Sequence, residues 1–274
     1  MSDTILDFHT HPYLSEAEFL NHYPECFSPS PEQLRQDLEQ AGIHRICGSV
    51  ILKDSAAPGF SGVHQANLRA LALKEILGDF YIPGFHVHPD YVDESIADIE
   101  QMHKRGIRLI GELVPYLHGW HGYSSRNFSK ILDAAGHFKM VVSFHTDPAG
   151  PSEYAGIAVM VRSHPDVTFV AAHPNERADF QELLTLMDAC PNLYLDLSGA
   201  GIFRYGAIAY GVRRVGSERL LFGTDYPICN PRMYVQAVYQ ELLSTEDREN
   251  ILHKNAGRIL GIGESGRENA RKPG

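Results

Sequence analysis

Short apolar runs rich in β-branched residues alternate along the chain with stretches of helical periodicity. The runs predict eight strands: Thr4–His11, His44–Leu52, Phe80–Pro89, Gly106–Tyr116, Met140–Asp147, Val167–Pro174, Asn192–Ala200 and Arg219–Pro227. Several are almost continuously apolar (MVVSF, VTFVAA, RLLFG), as strands buried on both faces of a parallel sheet are. The intervening segments read as helices. Ser30 caps the first, Pro31 occupies its first turn, Leu34 and Leu38 share a face, and Gly42 ends it. Asp93–Gly106 carries Ile96, Ile99 and Met102 on one face. Val63–Leu77, Ser125–Phe138, Tyr154–Ser163, Asp179–Ala189, Phe203–Val215, Met233–Leu243 and Glu246–Leu260 complete the set.

Strands alternating with helices imply βα units and a parallel sheet. Eight units without a Pro/Gly-rich linker predict an α/β protein, a single (β/α)8 TIM barrel over residues 1–261 with a loose polar tail at 262–274. The alternative, a doubly wound open sheet, lacks the G-x-G-x-x-G that a dinucleotide fold carries after its first strand. The longest connection, Pro12–Ser30, has the length of a functional lid.

Composition narrows the classes. The 274 residues are 43% hydrophobic and 21% charged, enough for a large core. No apolar run approaches the ~18 residues of a membrane span, and MSDTILDFHTH does not fit a secretory signal. A net charge of −10 disfavours nucleic acid and anionic membranes as partners. The expected partner is a small-molecule substrate, with a homo-oligomer left open. Cys26, Cys47, Cys190 and Cys229 form no CxxC pair, so a disulfide scaffold or zinc ribbon is disfavoured and a reducing cytoplasm fits. The unusual count is 15 histidines, the commonest metal ligands and proton carriers near neutral pH.

A barrel of this kind places its active site at the C-terminal ends of its strands. There the chain puts Asp7-Phe8-His9-Thr10-His11, Gly111-Glu112-Leu113, Phe144-His145-Thr146-Asp147, Ala172-His173-Pro174 and Gly223-Thr224-Asp225. His9 and His11 are two apart and share a strand face. His145, His173 and Asp225 can reach the same point from other strands. Each could serve a plain structural role alone. Together they describe a catalytic divalent-metal site, with zinc the leading candidate. Such a metal acidifies a bound water and polarises a substrate oxygen.

With these pieces in view the chain resembles the amidohydrolase superfamily, specifically the amidohydrolase-2 branch of TIM-barrel metal-dependent hydrolases. DFHTH, GELVPY, SFHTD, VAAHP, LYLDLSG, LLFGTDYP and the final ILHKNAGRIL carry the likeness, from Ile5 to Leu260. The resemblance implies that His9, His11 and His145 bind the metal and that Asp225 is both ligand and proton carrier. His173 would hold a second metal or polarise the substrate. Glu112 departs from members with a carbamylated Lys on strand four and is closer to TatD-type hydrolases, where a Glu there helps hold a metal. One or two ions therefore stay open.

Other rim residues are read both ways. His86 and His88 share a face at the end of strand three. Asp7 either orients a ligand or braces the structure. Tyr116, His118, Trp120, His121 and Tyr123 form a substrate wall or pack their own loop. Arg204 faces a substrate carboxylate or solvent, and Asp196 is a strand-end hydrogen-bond partner. The function expected is hydrolysis of a small-molecule amide, lactone or ester-like carbonyl, with Asp225 moving the proton. The rivals are a metal-dependent decarboxylase on the same scaffold and, further off, a non-catalytic binding protein.

Overall fold

The computed structural model describes residues 4–15, 18, 30–52, 60–146 and 151–262. The interior of the expected lid, Cys26, Asp147 and residues 263–274 of the expected tail lie outside them. Eight strands run β1 (Leu6–Asp7), β2 (Arg45–Ser49), β3 (Tyr81–Phe85), β4 (Leu109–Leu113), β5 (Val141–Phe144), β6 (Thr168–Ala171), β7 (Leu193–Asp196) and β8 (Leu220–Leu221). Each falls inside its predicted segment. They pair in parallel in sequence order. The ring closes where Phe8 N–H donates to Phe222 O at 2.8 Å and His11 N–H to Tyr226 O at 2.7 Å. The (β/α)8 barrel is therefore observed, and closure leaves neither β1 nor β8 as an open edge.

Two apolar clusters organise the barrel. Leu6, Phe8, Cys47, Leu109, Val141, Val170, Tyr194 and Leu221 fill its interior, one strand after another, with Ala256 and Leu260 beneath them. The alternate strand residues, among them Ile46, Ile110, Val142, Phe169, Leu195 and Phe222, face outward to the helices.

The helices are α1 (Pro31–Gln40), α2 (Phe60–Leu77), α3 (Val92–Lys104), α4 (Arg126–His137), α5 (Pro151–Ser163), α6 (Arg177–Ala189), α7 (Ala207–Val215), α8 (Pro231–Gln240), α9 (Thr245–Glu249) and α10 (Asn255–Leu260). Ser30 caps α1 in a capping box with Gln33. The single helix expected over Glu246–Leu260 instead holds a π-turn at Asn250–Lys254 between α9 and α10. The wider turn goes with outside partners: Ile251 O accepts from Phe222 N–H, and the Asn255 amide donates to Ser217 O and Leu220 O. Among the described residues no helix is long and apolar enough to cross a membrane.

Asp7 resolves as a brace. Its Oδ1 accepts the backbone N–H of His9 and of Thr224, and its Oδ2 accepts the Thr224 hydroxyl at 2.6 Å. It thus joins the first strand to the last. Asp7→Ala strands three buried donors, so the urea midpoint should drop by the equivalent of about 3 kcal/mol. An unchanged midpoint would show closure to be independent of Asp7.

Candidate metal centre

The strand ends bring His9, His11, Glu112, His145, His173 and Asp225 to one place at the C-terminal rim. His9, His11, Glu112, His173 and Asp225 are all buried, and His145 is partly so. His9 Nε2 lies 3.1 Å from His11 Nε2. Glu112 Oε2 sits 3.4 Å from the first and 3.3 Å from the second. Asp225 Oδ1 approaches them to 3.6 and 3.4 Å. Glu112 turns its other oxygen to His145 Nδ1 at 2.8 Å and His173 Nε2 at 3.3 Å. Two groupings have the spacing to hold an ion: His9, His11 and Asp225, and His9, Glu112 and His173. His145 enters neither and instead holds Glu112.

Local backbone sets these directions. Ile110 pairs with Val142 but Leu113 with Phe144, so β4 carries one extra residue against β5. Such a bulge breaks the two-residue alternation and re-aims a side chain, here Glu112. Ser49 Oγ then donates to Glu112 O at 3.2 Å. His173 and Asp225 have φ of 68° and 63°, the left-handed region that non-glycine residues occupy at strained, often functional, positions. Asp225 N–H donates to His9 O at 2.9 Å, which ties the carboxylate's strand end to that of His9. Tyr123 OH shares its one proton between His145 O at 3.0 Å and Leu113 O at 3.2 Å, clamping the end of β5.

The ring protons can be placed. His9 Nδ1 faces Asp196 Oδ2 at 3.0 Å and His11 Nδ1 faces Ser49 O at 3.0 Å. Both partners only accept, so both Nδ1 atoms carry hydrogen. A neutral imidazole has one N–H. The two Nε2 atoms therefore present lone pairs to each other at 3.1 Å, with carboxylate oxygens on either side. Lone pairs so arranged repel unless a proton or a cation lies among them.

The electrostatics agree. Burial would push His11 down, but hydrogen bonds to Asp225 and Glu112 outweigh it and raise it to about 9. Burial opposes the charge on His9 as well, yet Asp196 and Glu112 raise it well above the usual histidine range. Burial would raise Glu112, yet His9 and His145 hold it well below the usual carboxylate range. The pocket demands positive charge, and its nitrogen and oxygen donors fit a divalent ion.

The sequence reading treated Asp196 as a strand-end partner and missed its contact with the His9 ring. Its place at the end of a barrel strand was the available signal. Of the softer residues, His86 Nε2–H donates to Val50 O at 2.9 Å, and His88 Nε2 bonds His118 O at 3.0 Å. Trp120 and Tyr123 pack on Phe128 and so brace their loop. Tyr116 is exposed, its ring 5.8 Å from that of His145. His121 is exposed. Arg204 pairs with Glu176 at the surface, 2.6 Å away.

Comparison with known proteins follows the same lines. An uncharacterized TIM-barrel protein from Bordetella bronchiseptica superposes with a TM-score of 0.75 at 22% identity, covering 94% of this chain and 98% of its own. The 2,6-dihydroxybenzoate decarboxylase from Rhizobium gives 0.68 at 14% identity, covering 95% and 99%. A 5-carboxyvanillate decarboxylase from Novosphingobium aromaticivorans gives 0.70 at 12% identity, covering 95% and 97%. These likenesses establish the shared barrel. A search of curated proteins gave no match. The amidohydrolase family model, of the amidohydrolase-2 type, matches residues 6–262, from the first barrel strand to the last helix. A match of that extent settles the affiliation: the chain belongs to the amidohydrolase family.

Proposed function

We propose that this protein is a metal-dependent hydrolase acting on a small-molecule carbonyl of the amide, lactone or ester kind. One observation carries the reading: the Nε2 atoms of His9 and His11 face each other at 3.1 Å, flanked by Glu112 and Asp225. A divalent ion bound there supplies Lewis acidity, polarising a substrate oxygen and lowering the pKa of water. His9 and His11 would hold it through Nε2, with Asp225 or Glu112 adding oxygen. Asp225 would take a proton from water and pass it to the leaving group. Glu112 keeps His145 and His173 turned toward the reacting side.

Zinc suits this nitrogen-rich set best. Manganese is the alternative, since decarboxylases from Polaromonas and Novosphingobium with this fold hold manganese. The two groupings share His9, and one Nε2 lone pair serves one ion. Metal titration of stripped protein should therefore saturate at one tight equivalent. Uptake of a second tight equivalent, lost in Glu112→Gln, would mean that Glu112 bridges two ions.

The second reading is decarboxylation, supported by the fold shared with 2,6-dihydroxybenzoate and 5-carboxyvanillate decarboxylases. Incubating the metal-loaded protein in 18O-water with a panel of amides, lactones and aromatic carboxylates separates the two. Solvent oxygen in the product supports hydrolysis. Release of CO2 without incorporation moves the assignment to a lyase. Turnover of nothing by a fully loaded protein would favour a binding role.

A further inference from the structure

We infer that Asp196 and Ser198 are positioning residues that lock His9 and His173 each in the Nδ1–H tautomer, so that both rings turn an Nε2 lone pair into the centre. The inference rests on the metal-dependent reading only for its functional meaning; the proton placement is independent of it.

Asp196 ends β7 and is fully buried. Its Oδ2 faces His9 Nδ1 at 3.0 Å. Its Oδ1 accepts the Ser198 backbone N–H at 3.0 Å and is in close contact with the Ser198 hydroxyl. Ser198 Oγ in turn lies 3.0 Å from His173 Nδ1. One carboxylate thus reaches two imidazoles, the first directly and the second through a serine.

The proton count is forced. Asp196 Oδ1 already accepts the Ser198 backbone N–H and its Oδ2 faces the His9 ring, so both oxygens serve as acceptors. A serine hydroxyl has one proton. Given to His173, that proton would leave Oγ and Oδ1 facing each other as lone pairs in close contact. It therefore goes to Asp196, and Ser198 Oγ accepts from His173 Nδ1–H. When the ring is neutral its lone pair therefore lies at Nε2, 3.3 Å from Glu112 Oε1, and a proton or a cation must lie between the two. In that form it can take a proton or hold a cation. The neutral Nδ1–H ring cannot polarise a substrate by donating from Nε2.

The chain leaves room for this network at two glycines. A Cβ on Gly199 would collide with His173 Nδ1. A Cβ on Gly223 would lie 2.8 Å from His9 Cβ and 3.0 Å from Ser198 Cβ. Tyr234 OH also donates to Gly199 O, fixing the turn behind the serine.

The test is long-range 1H–15N NMR on zinc-loaded full-length protein with 15N-labelled histidine, with zinc affinity measured in parallel. Both rings should carry hydrogen on Nδ1 in the unmodified protein. Ser198→Ala should release the His173 tautomer, leave that of His9 in place and change zinc affinity by less than about threefold. Ser198→Thr, which keeps the hydroxyl, should restore His173. Asp196→Asn should weaken zinc binding about 10- to 100-fold. A His173 protonated on Nε2 in the unmodified protein, or one indifferent to Ser198→Ala, would overturn the inference. If the protein takes up no zinc, the metal reading fails. The tautomers of the stripped protein at alkaline pH then decide this inference separately, by the same two signatures.

Discussion

Asp225→Asn is expected to lower kcat by on the order of 10²-fold or more, the scale of losing a general acid–base group. The substitution preserves shape, and the Asp225 backbone stays tied to His9 O through its own N–H. What is lost is the charge and basicity of an oxygen 3.4 Å from His11 Nε2. Asp225 also belongs to one of the two ion-holding groupings, so metal content must be measured on the same samples. A metal-loaded variant with near-normal kcat on a substrate from the panel would remove the proton-carrier role from Asp225.

Replacing His9 and His11 together with Ala should take the protein from about one tightly held divalent ion per chain to below about 0.1, since both proposed ligand nitrogens of the central pair are gone. Elemental analysis after zinc loading and desalting reads this directly. The barrel should still unfold cooperatively, because its inner cluster runs through Leu6, Phe8, Val141 and Val170 and does not use either ring. Loss of the folded state in the variant would show that the pair is structural. Metal uptake by the unmodified protein should also tighten as pH rises toward about 9. His11 is held protonated up to about that pH by Asp225 and Glu112, and each proton on Nε2 must leave before a metal takes its place. Affinity independent of pH between 6 and 9 would exclude His11 from the ligand set.

The strand segments were legible because apolar period and strand length are local properties. MVVSF and VTFVAA bury both faces wherever they pair, and the observed β5 and β6 lie inside them. The rim motifs were legible for the same reason, since each polar cluster directly follows its apolar run. Other features escaped. The π-turn at Asn250–Lys254 goes with partners before, on and just after β8, outside the helix that contains it. The direction of Glu112 follows from a bulge against β5 that the run LIGEL does not announce.

The amino-acid order alone determined that eight βα units would form and that His9, His11, Glu112, His145, His173 and Asp225 would stand at their C-terminal ends. Tertiary structure decided what those residues do to one another. His9 and Asp196 are 187 positions apart and meet only because the ring closes. That contact, with Ser49 O behind His11 and Ser198 behind His173, decides which ring nitrogen keeps its proton. Periodicity along a chain encodes which face a side chain takes. The placement of a proton depends on the acceptor across the barrel, and strand pairing and register bring that acceptor into place.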